Sequence, residues 1–237
     1  MNHTTDIVLS EHHHAAILIE FYRLLEEQCG HERRLDIFMT AARAYGRRRG
    51  RRMAMRALRD GNPLDMTSYF AYGELLSTEG AYTGYYHASC GMVHEHMTGC
   101  PWATEFHESC FRCGVDYCRE IDNSIIRGFN PTLDFSCPQN MHLADSCEFF
   151  YGGAEIQTDF MDTYSARVPE GVRVKREMAY HCADVYQMFC HVVCQVLPAA
   201  GAELIAKVRD RLCEKYGESV LAELDRYAGT DFESIAD

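Results

Sequence analysis

Six of the twelve cysteines and the only tryptophan fall between Cys100 and Tyr151. Thiols, imidazoles and carboxylates at short spacing supply nucleophiles, general bases or metal ligands. Cys118 and Asp122 stand four apart on an expected helix, so their side chains are neighbours. A carboxylate raises a nearby thiol pKa by like-charge repulsion. Asp122 is therefore cast as a ligand acceptor, or as a general acid/base acting on water, rather than as a thiol activator. His87, His94, His96 and Cys100 lie within fourteen residues on extended segments, with His94 and His96 on one strand face. Converging imidazoles there could activate the thiol, or bind a metal that activates water. His94 and His96 are the candidate metal ligands, and a transition metal such as zinc is the candidate cofactor. Tyr86, His87 and Trp102 are the candidate substrate contacts.

Three further clusters have blander readings. Cys110, Cys113 and Cys118, with His107 upstream, resemble a metal-ligand spacing, but no second Cys-x2-Cys pair completes a tetrahedral site. His181, Cys182, Cys190, His191 and Cys194 share a helix whose apolar stripe explains the thiols as core residues. His12, His13 and His14 are adjacent, so they point in different directions on a helix and read as exposed. Ten arginines and one acid, Asp36, occupy residues 33–59. That run reads as a solvated helix face docking on the acidic remainder, or more sharply as an anion site that holds a substrate carboxylate.

The elements that must position these residues follow from periodicity. Apolar three- and four-residue steps predict helices over 11–29, 32–60 and 65–77. Ser10 is the expected N-cap of the first helix and Gly30 its stop. Gly46 and Gly50, four apart, mark a bend or a close helix contact in the second. Alternation predicts strands over 82–87 and 91–97. Helices follow over 102–113 and 115–127, separated at Gly114. Leu133, Phe135 and Cys137 alternate as a strand. Residues 141–144 and 147–151 read as a β-hairpin turning at Asp145-Ser146. A polar loop covers 152–170, and the remainder is helical over 178–197, 202–215 and 218–228.

The expected architecture is α+β: a small antiparallel sheet flanked by helices from both the N- and C-terminal parts of the chain. No linker divides it, so 1–237 is read as a single domain, with N-terminal helices over 1–78, a sheet-forming core over 79–152 and C-terminal helices over 170–229. With 47 % hydrophobic and 24 % charged residues, the composition is that of a soluble globular protein. No apolar run nears the roughly 20 residues of a membrane span, and the first residues have no secretory pattern. A cytoplasmic protein with reduced cysteines is expected. The net charge of −12 argues against nucleic-acid binding. The expected partner is a small-molecule substrate, with neither nucleic acid nor membrane, and a homo-oligomer is left open.

Cys100-Pro101-Trp102, Tyr117-Cys118 with Asp122, Gly128-Phe129-Asn130-Pro131 and Leu143-Ala144-Asp145-Ser146-Cys147-Glu148-Phe149 occur in an order that resembles the L-2-amino-thiazoline-4-carboxylic acid hydrolase family. Tyr45-Gly46-Arg47-Arg48-Arg49-Gly50 with Met53-Ala54 fits the same family, and Ala144 stands where its pattern has Gly. The resemblance covers roughly residues 30–152 and, more loosely, the C-terminal helices. It implies hydrolysis of a carbon–nitrogen bond in a small thiazoline ring, with an N-carbamoyl-cysteine product and a substrate carboxylate that an arginine could hold. By position, Cys100, Cys118, Asp122 and Cys147 match the family motif and are the candidate catalytic residues, with the nucleophile unassigned among them. The Asp-Ser-Cys-Glu-Phe stretch also resembles, more weakly, the 4-vinyl-reductase type of small-ligand domain, which implies a binding module that breaks no bond. A partner-binding protein that uses the Arg-rich helix is a third class.

Overall fold

The computed structural model describes residues 7–235. Its architecture is α+β, as the periodicities predict. Helix α1 (Glu11–Cys29) starts at Ser10, whose backbone N–H donates to His13 Nδ1 at 3.1 Å. Gly30, with φ of 80°, ends α1 and admits α2 (His31–Arg59). Helix α3 (Met66–Ala71) is shorter than its periodicity predicts and is capped by Asp65, which accepts from Ser68 N–H.

Strands β1 (Thr83–Ser89) and β2 (Met92–Gly99) form a hairpin that turns at Gly91, with φ of 85°. Three short helices follow: α4 (Pro101–Ser109), α5 (Phe111–Cys118) and α6 (Ile121–Phe129). Then come β3 (Asp134–Gln139) and β4 (Cys147–Gly152). The sheet order is β1-β2-β4-β3, antiparallel throughout. The polar segment after β4 contains α7 (Phe160–Thr163) and a 3₁₀ turn at Tyr164–Arg167, and buries Ile156 and Phe160 against the sheet. Helices α8 (Met178–Val196), α9 (Gly201–Tyr216) and α10 (Glu218–Asp225) complete the fold. Among the described residues no helix is long and apolar enough to cross a membrane. The stretch read as lacking a secretory pattern begins at residues 1–6, outside the described residues.

Several local expectations are corrected. Residues 141–144 are not a strand. They form a turn in which Leu143 and Ala144 N–H donate to Asn140 O, and β4 pairs with β2 and β3 instead. The break expected at Gly114 falls at Cys110, and Gly114 lies inside α5. A methyl there would meet Phe106 Cβ at 2.6 Å, so Gly114 serves close packing rather than termination. The expected helix over 115–127 is two helices, so Cys118 ends α5 while Asp122 sits in the first turn of α6.

Half of the arginine run is solvated as expected (Arg33, Arg43, Arg47, Arg51 and Arg59) and half is not. Arg34, Arg52 and Arg56 are fully buried, and Arg48 and Arg49 nearly so. Arg52 Nη2 bonds Glu74 Oε1 and Asp184 Oδ2, each at 2.6 Å, and its Nη1 donates to Phe232 O at 2.8 Å. Arg56 donates to Glu74 at 2.7 Å, and Arg48 pairs with Asp184. Buried guanidinium groups survive only when paired in this way. The partners of Arg48, Arg52 and Arg56 are Glu74 after α3, Asp184 of α8 and the Phe232 carbonyl near the C-terminus, so the network ties these segments to α2.

Gly46 and Gly50 mark a close helix contact, not a bend. A methyl on Gly50 would lie 2.5 Å from Phe129 N, and one on Gly128 would lie 2.6 Å from Arg47 Cα. The glycines let α2 and α6 touch backbone to backbone, which sets Arg49 and Asp122 beside one space.

Candidate functional site

That space is a cavity of about 520 Å³, bounded by α2, α5, α6, the start of α4 and the inner sheet face. The pleat decides which strand residues reach it. Val93, Glu95 and Met97 of β2 oppose Tyr151, Phe149 and Cys147 of β4, so these six share one face. Tyr86 of β1 opposes Glu95 and joins them.

Cys100, Cys118, Asp122 and Cys147 all line the cavity, as do Tyr86 and Trp102. Cys100 is the N-cap of α4, with Pro101 at the first helical position, and the Trp102 and Ala103 backbone at the helix start favours its thiolate without a side-chain capping bond. Burial nevertheless pushes that thiol up to about 11, and Asp122 adds to the rise. Burial pushes Cys147 up to about 12 and Cys118 well above the ordinary thiol range. Burial also lifts the Asp122 carboxyl to about 6; repulsion from Glu95 adds to the lift and Arg49 opposes it. The cavity thus holds thiols in their neutral form and one carboxyl that titrates near neutrality.

The histidines are placed differently. His87 and His94 pair across β1 and β2 on the outer face, and neither lines the cavity. His96 borders it and stacks on Tyr85 at 4.9 Å. His94 Nε2 and His96 Nδ1 each bond the Glu148 carboxylate at 2.6 Å, and Ser146 Oγ donates to the same group. These bonds hold Glu148 down at about 2, the Ser146 hydroxyl contributing most. Among the described residues no three His, Cys, Asp or Glu side chains gather as a metal-holding group. The convergence of imidazoles on Cys100 expected from spacing is not assembled for His87 and His94, which lie outside the cavity, while His96 borders it with its Nδ1 bound to Glu148.

Trp102 touches the cavity with its ring, while its Nε1 donates to His14 Nδ1 at 3.0 Å. His14 Nε2 in turn meets Tyr45 OH at 3.0 Å. His14 is buried, contrary to the exposed reading of the histidine triplet, and its pKa is lowered well below normal by burial. The neutral ring with hydrogen on Nε2 fits both bonds. This relay fixes Trp102 against α1 and α2.

Sequence reasoning did not single out Arg49, Glu95, Cys137 or Lys175, all of which line the cavity. Arg49 is about nine-tenths buried, its Nε has no hydrogen-bond partner, and the Glu74 carboxylate stands 3.6 Å away. Around it, Arg48, Arg49, Arg52 and Arg56 face two fully buried carboxylates, Glu74 and Asp184. Arg49 is the member of this group that lines the cavity. The arginine run contained the signal, but not which arginine would turn inward. Glu95 had a signal too, as a lone carboxylate in the apolar phase of β2 between Val93 and Met97.

Residues 10–151, more than half of the chain, match the family model described as L-2-amino-thiazoline-4-carboxylic acid hydrolase. No curated protein and no solved structure matches the chain.

Proposed function

The chain belongs to the L-2-amino-thiazoline-4-carboxylic acid hydrolase family, and on that premise we propose that it hydrolyses a small cyclic amidine carboxylate of the thiazoline type in this cavity. The observation that carries the reading is that Asp122, its carboxyl raised to about 6, and Arg49, whose Nε makes no hydrogen bond, line one cavity. Arg49 offers its guanidinium to the substrate carboxylate. Asp122, ionised above about pH 6, takes a proton from water as that water adds to the ring carbon between nitrogen and sulfur.

The product dictates which ring bond opens. An N-carbamoyl-cysteine keeps both nitrogens on the former ring carbon, so the bond that breaks is carbon–sulfur. Opening the ring carbon–nitrogen bond would leave an S-carbamoyl-cysteine instead. Counted on the neutral ring, the water oxygen becomes the carbamoyl oxygen, one water proton ends on the ring nitrogen and the other on sulfur. A thiolate with a pKa near 8.5 leaves without a strong acid. The demand therefore falls on the base, which suits Asp122. This replaces the carbon–nitrogen scission that the family resemblance implied.

A second reading makes Cys100 the nucleophile, favoured by its place at the start of α4, where the Trp102 and Ala103 backbone favours the thiolate. One experiment separates these readings. Purified protein is incubated with 2-amino-thiazoline-4-carboxylate and the product identified by NMR, for wild type, Asp122→Asn and Cys100→Ala. Turnover abolished by Asp122→Asn and kept by Cys100→Ala supports activated water, while loss in Cys100→Ala supports the thiol. Ligand-dependent stabilisation with no product in any variant would replace the hydrolase by a binding module.

A further inference from the structure

The sheet side of the cavity holds a second carboxylate that the reaction above does not use. Glu95 is 7 % exposed and sits at the centre of the inner sheet face. Tyr86 OH donates to its Oε1 at 2.6 Å, and Tyr151 OH to its Oε2 at 3.0 Å. Among the described residues no lysine or arginine ion-pairs with it, and Asp122, whose carboxyl Glu95 helps to raise, lines the same cavity. Two buried carboxylates facing one space repel each other and remain costly until a cation joins them. The surrounding walls are aromatic: Phe70 packs edge-on to Tyr151 at 4.9 Å, and Tyr69 lies 6.3 Å from the same ring. Ring faces of this kind favour a flat, weakly hydrated cation over an ammonium ion. At the α2 side, Arg49 lines the same cavity, with a buried Nε that makes no hydrogen bond and the Glu74 carboxylate 3.6 Å away.

We propose that Glu95, gripped by Tyr86 and Tyr151, forms with Asp122 a subsite for a delocalised nitrogen cation, so that the chain selects zwitterionic cyclic amidines over neutral cyclic amides of the same shape. The inference rests on the reading of this cavity as the substrate site. It adds a specificity device that the reaction itself does not require. A carboxylate held by two tyrosine hydroxyls has lone pairs left for the two N–H groups of an amidinium edge. An oxo isostere keeps the ring N–H but puts an oxygen in place of the exocyclic N–H and carries no positive charge there.

The test uses probes that resist turnover. The full-length chain is titrated calorimetrically with 2-iminoimidazolidine-4-carboxylate, a permanently cationic cyclic guanidine, and with 2-oxoimidazolidine-4-carboxylate, its neutral isostere. Wild type is expected to bind the guanidine about tenfold tighter or more, the worth of one charge-assisted hydrogen bond. Glu95→Gln, with unchanged near-ultraviolet circular dichroism, is expected to reduce that preference to about threefold or less. Equal binding of the two probes by wild type, or full preference in folded Glu95→Gln, overturns the proposal. If Glu95→Gln does not fold, Tyr86→Phe carries the test: with one donor gone, Glu95 keeps its proton to higher pH, so on acidification the preference is lost at a higher pH than in wild type. An unshifted pH dependence of the preference overturns it. Thiazoline hydrolysis without cation preference would remove the subsite and keep the reaction, whereas cation preference without hydrolysis would do the reverse.

Discussion

Gly50 of α2 and Gly128 of α6 meet backbone on backbone: a methyl on Gly50 would stand 2.8 Å from the carbonyl carbon of Gly128. This crossing holds Arg49, next to Gly50, and Asp122, six residues before Gly128, at one cavity. Gly50→Ala or Gly128→Ala is expected to wedge the helices apart. Overpacking of this kind costs about 1–3 kcal/mol. Activity should fall by more than the folded fraction does, because the wedge also separates the anion-binding guanidinium from the base. Denaturant titration read beside the kinetics checks this, and loss of activity in strict proportion to unfolding would contradict it.

The pH profile follows from Asp122. Its carboxyl is raised to about 6 by burial first and by Glu95 next. Hydrolysis should rise with pH through about 6 as the base ionises, and this limb should vanish in Asp122→Asn. Stability moves the other way. An acid whose folded pKa lies above its unfolded value stabilises fully below the unfolded value of 3.8, and that contribution disappears as pH rises through about 6. Asp122→Asn should therefore be inactive yet more stable than wild type at neutral pH, by about 1–3 kcal/mol. Glu95→Gln should shift the activity limb to lower pH by removing the repulsion.

Arg49→Lys tests anion recognition. Lysine keeps the charge but loses the planar fork. KM for a carboxylate substrate is expected to rise about tenfold or more, with kcat changed much less, as for loss of uniform binding. A carboxamide analogue should lose little affinity. Equal losses for carboxylate and carboxamide would remove Arg49 from this role.

Arg52→Ala should be a folding defect instead. Arg52 joins Glu74 and Asp184, all three fully buried. Its removal takes away the one guanidinium that bridges the two buried carboxylates and leaves Glu74 to Arg56 and Asp184 to Arg48, at a cost of about 3–5 kcal/mol. Thermal denaturation measures the loss, and a Tm within a few degrees of wild type would show that the network is dispensable.

The thiols should react in order of exposure. Cys90 and Cys194 are exposed, whereas burial holds the Cys100 thiol at about 11 and Cys147 at about 12. Iodoacetamide at neutral pH is expected to label Cys90 and Cys194 first and the cavity thiols last, as read by peptide mass spectrometry. Early labelling of Cys100 would indicate a thiolate and strengthen the covalent reading.

Much of this protein was legible along the chain. Apolar periodicity placed α1, α2 and α8 to within a residue or two, and alternation placed β1 and β2, because helix and strand repeat lengths act over neighbouring residues. Short family motifs indicated Cys100, Cys118, Asp122 and Cys147, and the fold brings all four to one cavity. Tertiary structure decided the rest. Whether an arginine is solvated depends on Glu74 and Asp184, which lie 22 and 132 residues from Arg52. Which strand face looks inward depends on pairing with β4 and on the helices beneath, and that sent His87 and His94 outward and Glu95 inward. The pKa of Asp122 likewise arises from burial, Glu95 and Arg49 on three separate elements. Local pattern specifies which elements form. Desolvation and charge pairing depend on what packs around a group, so only the assembled chain determines which side chains become chemistry.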